Sequence, residues 1–144
     1  MPPTIKFRKL SATAQTPTRA HPTDSGMDIY SDEHVVISGL DRKVVDCGIA
    51  ISLPTGYEGQ VRPRSGLAAK QGLTVLNSPG TIDCSYRGPI KVILFNSGVP
   101  SVIIKPGDRI AQLVIQKVEF LEAVEVDSLD DTDRGSGGLG STGL

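Results

Sequence analysis

Tryptophan is absent, and aromatic residues make up only 4% of the 144-residue chain. A core with so few large rings must be built from Ile, Val and Leu. Cysteine occurs twice, at Cys47 and Cys84, far apart and with no CxxC pair. That argues against a disulfide scaffold and a zinc ribbon, and it suits a reducing compartment. No apolar run approaches the roughly 18 residues of a membrane span, and Met1 to Leu10 lacks the apolar core of a signal peptide. The expectation is a cytoplasmic protein with no membrane partner. Neither sign of charge dominates: 15 Lys and Arg face 16 Asp and Glu, for a net charge of -1. A nucleic-acid partner, which calls for a basic excess, is not expected. A small anionic ligand remains open, since two or three local cations suffice for one.

What is abundant is punctuation. Sixteen Gly and ten Pro cut the chain into short segments, a pattern of all-β domains. Ile5 and Phe7 alternate with Lys6 and Arg8, and Cys47, Ile49, Ile51 and Leu53 alternate with Gly48, Ala50 and Ser52. Period-two alternation of this kind predicts strands with one buried face. Val35 to Ile37, Tyr57 to Arg62, Val102 to Ile104 and Ile110 to Ile115 read as further strands, and Ser11 to Ser25 as a loop. Ile90 to Phe95 is apolar throughout and predicts a strand buried on both faces. Val118, Phe120, Val124 and Val126 mark a last strand region. The single helix expected is Gly66 to Gly72, with Ser65 as its cap and Gly72 as its stop. Composition changes at Asp127: an acidic linker leads into the Gly-rich stretch Arg134 to Leu144. The organisation predicted is a β body over residues 1–126 and a flexible arm over residues 127–144.

Three clusters could carry chemistry. Gly135, Gly137 and Gly140 fit G-x-G-x-x-G, but no strand precedes them and only four residues follow, so a dinucleotide fold is rejected. The arm is then either a disordered tail or a mobile phosphate clamp, whose backbone N–H groups converge on an anion with Arg134, Ser141 and Thr142 as added donors. Arg64-Ser65-Gly66 opens the helix, where free N–H groups and a guanidinium suit phosphate; an ordinary cap beside a surface Arg is the plainer alternative. Gly80 to Ile90 holds Asp83 between Ile82 and Cys84, with Tyr86 three residues on. Asp in a Gly/Pro-bounded hairpin is often only a turn former, yet in a pocket it can orient and deprotonate water. His21 and His34 form no HExxH pattern, and neither a P-loop nor a GxSxG elbow is present.

Taken in order, five segments resemble the motifs of the trimeric dUTP pyrophosphatase (dUTPase) family. They are Ser25-Gly26-Met27-Asp28-Ile29-Tyr30, Pro63-Arg64-Ser65-Gly66-Leu67-Ala68, Gly80-Thr81-Ile82-Asp83-Cys84-Ser85-Tyr86-Arg87-Gly88, Gly107-Asp108-Arg109-Ile110-Ala111-Gln112-Leu113, and Arg134-Gly135-Ser136-Gly137-Gly138-Leu139-Gly140-Ser141-Thr142-Gly143. Each is weak alone; all five in register span residues 25–143. The resemblance implies a jelly-roll-like β-barrel or sandwich subunit and a homotrimer with shared sites. It implies hydrolysis of dUTP to dUMP and pyrophosphate, which keeps uracil out of DNA and supplies dUMP for dTMP synthesis. By the same resemblance, Asp83 would activate the water that attacks the α-phosphorus and would contact the sugar. Tyr86 would exclude a 2′-hydroxyl. Asn77, Gly80, Thr81 and Ile82 would read uracil, with Lys91 lending a backbone contact. Arg64, Ser65 and Gly66 would grip the central phosphates and Gln112 the α-phosphate. Arg134, Gly140, Ser141 and Thr142 would close on the γ-phosphate. Mg²⁺ would ride on the triphosphate, with Asp28 holding one of its waters. Leu139 stands where the family usually has an aromatic that stacks on the base. Two other readings share the fold: a dCTP deaminase, and a β trimer that binds nucleotide without turning it over.

Overall fold

In most segments where small and branched apolar side chains alternate, a strand forms. The computed structural model describes residues 1–143. Its elements are β1 (Lys6–Lys9), β2 (Gly26–Tyr30), β3 (Val35–Ile37), β4 (Arg42–Ser52), β5 (Tyr57–Arg62), α1 (Ser65–Gln71), β6 (Leu73–Val75), β7 (Gly80–Ile82), β8 (Pro89–Asn96), β9 (Val102–Ile104) and β10 (Arg109–Lys117). Two four-stranded sheets have the orders β1-β4-β8-β6 and β2-β10-β5-β7, and β3 pairs with β9 in a small ribbon. The pairings within these sheets are antiparallel. Both large sheets contribute to one core cluster, whose most deeply buried members include Ile29, Ile37, Ile49, Leu73, Leu94, Ile110 and Leu113. The expected all-β class and aliphatic core are therefore both present, as is the single helix.

Two strand expectations need correction. β8 is not buried on both faces: Ile90, Val92, Leu94 and Asn96 are buried, Lys91 is exposed, and Ile93 and Phe95 are half-buried. Its outer face is apolar yet only partly covered, so apolar content overstated burial there. The last strand region does not form. β10 ends at Lys117, and Phe120, Val124 and Val126 lie exposed. A strand is held by a ladder of hydrogen bonds to a neighbour, and this segment has a single one, from the Val118 amide to the Gly56 carbonyl at 2.9 Å. Cys47 is buried, and burial together with the nearby Asp46, Glu33 and Asp32 carboxylates pushes its thiol up to about 12. Cys84 is half-buried.

A bulge in β4 ties the amino-terminal loop to the body. Pairing with β8 shifts register between Asp46 and Ala50, and Gly48 lies there at φ 65°. Its carbonyl accepts from the Leu10 amide at 2.7 Å. Beside it, Asp32 accepts from Ser11 Oγ at 2.6 Å and Thr13 Oγ1 at 2.7 Å. A methyl group on Gly48 would lie 2.5 Å from Asp32 Oδ2 and 2.9 Å from Ala14 Cβ. Gly48→Ala should thus cost about 1–3 kcal/mol, from left-handed backbone strain and displacement of Asp32. Thermal unfolding checks this: the midpoint should drop by roughly 3–8 °C, and an unchanged midpoint would contradict it.

Candidate active site

β7 carries the third motif into place along β5, with Gly80 opposite Val61 and Ile82 opposite Gly59. Gly80 and Ile82 turn inward and are buried; Thr81 and Asp83 stay exposed. A turn follows, in which the Tyr86 amide donates to the Asp83 carbonyl at 3.1 Å. Tyr86 Oη then donates to the Pro89 carbonyl at 2.9 Å. Arg87 Nη1 donates to the carbonyls of Cys84 and Tyr86 at 2.6 and 2.9 Å, which closes the loop. Gly88 is needed for this: a methyl there would lie 2.5 Å from Tyr86 Oη. The result is a cavity of about 220 Å³ lined by Thr81, Ile82, Asp83, Tyr86, Pro89, Ile90 and Lys91. Asn77 stands at the neck of the hairpin, its amide nitrogen 3.3 Å from where a Gly80 methyl would be. Six of the predicted residues are thereby gathered in one hairpin and one cavity, with Lys91 joining from β8.

A second cavity, of about 450 Å³, collects the first, second and fourth motifs. Ala20, Asp24, Ser25, Gly26, Asp28, Arg64, Arg109 and Gln112 line it. Gln112 sits on β10 directly across from Asp28 on β2 and from Arg62 on β5. It lies over Gly26, where a methyl would come within 3.2 Å of Gln112 Oε1. Arg64 precedes α1 with extended backbone and is its N-cap residue, with no side-chain cap. Ser65, expected to cap, is instead the first helical residue, and it is exposed. The physical reason is that a cap residue keeps a non-helical backbone, and the chain already turns helical at Ser65, one residue earlier than a Ser65 cap requires. The stop at Gly72 is as expected, with left-handed φ of 66° and its amide bonded to Ala68.

Asp28 is buried, and its carboxylate lies between two cations. Arg64 Nε is 3.1 Å from Oδ1 and Arg109 Nη1 is 3.7 Å from Oδ2. Arg64 Nη1 also donates to the Arg109 carbonyl at 3.2 Å. Both carboxylate oxygens face guanidinium groups, while Oδ1 accepts no hydrogen bond among the described residues. Among the described residues no group of three or more His, Cys, Asp or Glu is placed to hold a metal. Arg109 is the residue that sequence reasoning passed over. The signal was a buried Asp in the first motif, since buried carboxylates require partners.

The two cavities do not merge within one subunit. Asp83 follows the residue opposite Gly59, whereas Gln112 stands opposite Arg62 on the other edge of β5. Four residues along a strand and two strand spacings across put them roughly 17 Å apart. The predicted arm residues reach neither cavity. From residue 119 to 143 every position is exposed except the half-buried Gly137. Arg134 Nε bonds its own segment at the Gly137 carbonyl, 2.8 Å away, and Leu139, Gly140, Ser141 and Thr142 lie open to solvent.

Comparison with known proteins converges on one family. The dUTPase family model matches residues 12–143. A deoxyuridine 5'-triphosphate nucleotidohydrolase of Hydrogenobaculum sp. is 54% identical over 97% of this chain and 98% of its own. One from Nocardia farcinica is 51% identical over 96% of this chain and 85% of its own. Among solved structures, Staphylococcus bacteriophage 80alpha dUTPase with dUpNHpp superimposes with a TM-score of 0.91 at 31% identity, covering 98% of this chain and 99% of that one. A mutant dUTPase of S. aureus phage phi11, whose structure describes coordination of a structural Mg(II) ion, gives 0.83 at 29% identity, covering 89% and 99%.

Proposed function

This chain belongs to the dUTPase family and is a dUTP diphosphatase, cleaving dUTP to dUMP and pyrophosphate; from that premise we propose how its residues do so. Asp83, at the lip of the first cavity, holds the water and takes its proton as the water attacks the α-phosphorus. Ile82, Ile90 and the ring of Tyr86 give the sugar and base a dry wall, and the Tyr86 ring, fixed by its bond to Pro89, leaves no room for a 2′-hydroxyl. Asn77 and the backbone from Gly80 to Ile82 read the uracil edge, and Lys91 adds a contact from β8. Excluding a group by clash discriminates more sharply than burying one methyl favourably. Arg64, Ser65, Gly66 and Gln112 bind the phosphates at the second cavity, where Ser65 steadies charge developing on the leaving pyrophosphate. The observation that carries this is the placement of one exposed carboxylate beside a small, partly apolar cavity built by the third motif.

The working unit on this proposal is a homotrimer. Asp83 and Gln112 cannot both reach one α-phosphate across the width of a single subunit, so the second half of each site comes from a neighbour. Two further features favour this. The helix α1 buries none of its residues within the subunit, and Phe120, Leu121, Val124 and Val126 are exposed apolar side chains in sequence. The arm of residues 127–144 then belongs to a third subunit, with Arg134, Gly140, Ser141 and Thr142 closing over the γ-phosphate. Magnesium enters bound to the triphosphate, a common mode for this ion; no step is assigned to a protein-held metal. The two unlinked cysteines suit a cytoplasmic enzyme.

Pyrophosphate release from dUTP, dTTP, dCTP and UTP tests the reading. Turnover of dUTP alone is the expected result; equal cleavage of thymidine and ribose nucleotides contradicts the assigned pocket. Leu139 supplies a smaller check. An aliphatic side chain covers a base without stacking on it, so Leu139→Phe should lower KM several-fold, equivalent to about 0.5–1.5 kcal/mol. Steady-state kinetics decides this, and an unchanged or higher KM removes the stacking argument.

A further inference from the structure

We propose that Asp28 is a positioning residue for the phosphate-binding cations and that Arg109 is a further residue contacting the triphosphate. This deepens the reading of the second cavity as the phosphate half of the dUTP site and rests on it. Three observations meet here. Asp28 has only 11% of its side chain exposed, whereas Arg109 has 53% and Arg64 has 26%. The carboxylate is thus the fixed, inner member, and the guanidinium groups are the outer ones, facing the cavity. Second, the Arg64 side chain is bonded to the Arg109 backbone, so the two residues are held as a unit. Third, Asp28 Oδ1 and Arg64 Nε are buried at 3.1 Å without an aligned hydrogen bond. Their attraction is therefore charge on charge, which holds the guanidinium in place; Nη1 is taken by the Arg109 carbonyl, and Nη2 makes no hydrogen bond among the described residues. Guanidinium forks suit phosphate oxygens in paired contacts. Asp24 also lines this cavity, but its carboxylate accepts from the His21 amide at 2.9 Å.

The competing ideas differ in sign. If Asp28 acted only as a nearby negative charge, its removal would tighten the binding of an anion. If it held a metal water, its removal would weaken binding only when Mg²⁺ is present. A positioning role predicts weaker binding in both conditions, because loosened arginines must be ordered again by the ligand.

The experiment uses the full-length protein, with calorimetric binding of dUpNHpp in Mg²⁺ and in EDTA, and steady-state pyrophosphate release. Asp28→Asn, close in shape to the native residue, should lose affinity by roughly tenfold with and without the metal. Arg109→Gln should raise KM by a similar factor with a smaller effect on kcat. The double variant should lose little more than either single one, since the two act as a unit. Tighter binding by Asp28→Asn, a loss confined to Mg²⁺, or additive losses overturns the proposal. Should Asp28→Asn fail to fold, Arg109→Gln decides alone, and an unchanged KM overturns it. An active wild type with unaffected variants sinks this inference only; a wild type that neither binds dUpNHpp nor hydrolyses dUTP sinks the functional reading beneath it.

Discussion

Replacing Asp83 with Asn is expected to keep nucleotide affinity and reduce kcat by about 10²–10⁴-fold, the range typical of lost general-base help. The side chain is exposed at the rim of its cavity, so the change is small in shape and costs the fold little. Neutral Asn can still accept a hydrogen bond from the water but cannot take its proton. Binding of dUpNHpp within a few-fold of wild type, beside a collapsed turnover rate, would bear out the role. Undiminished turnover would show that another group moves the proton.

Truncation after Asp133 should leave a folded body and lower kcat/KM by about 10²-fold or more, because the phosphates lose their clamp and the site its cover from water. The stability side of this expectation rests on burial. Residues 134–143 contribute no buried side chain to the subunit, so thermal unfolding should be nearly unchanged. The same variant tests where the arm acts. When truncated subunits are mixed and reassembled with Asp83→Asn subunits, neither parent is active. If Asp83 and the arm of one site come from different subunits, about a quarter of the sites in a random trimer become whole. If one subunit supplies both, mixing restores nothing. Full activity in the truncated protein alone would remove the arm from the mechanism.

Much of the fold was legible where a rule of period two meets a one-sided core. Cys47 to Leu53 is the clearest case, and the chain there is strand until Ser52. β2 was missed as a strand because Gly26 and Asp28 have the character of turn residues. They sit on the outward face, where Gly26 makes room for Gln112 and Asp28 meets two arginines. Only knowledge of those partners, distant in sequence, turns a turn-like pattern into a strand. The error at Val118 to Val126 has the opposite origin. Its apolar spacing is real, but beyond the Val118 bond to Gly56 the strand it suggests finds no partner backbone in its own subunit. The residues of the third-motif hairpin were readable because they are local, all within Asn77 to Lys91. The pairing of Asp28 with Arg109 was not, since it depends on the β2–β10 register.

Cys47 bears on how this enzyme withstands chemical insult. Oxidants and alkylating reagents attack thiolate sulfur that they can reach, and a thiol held near 12 with 1% of the residue exposed offers neither charge nor access. Native protein should therefore carry one inert sulfhydryl in its interior. Reagents of that kind are left with Cys84, half-buried beside Asp83, as the one cysteine through which peroxide stress could touch turnover.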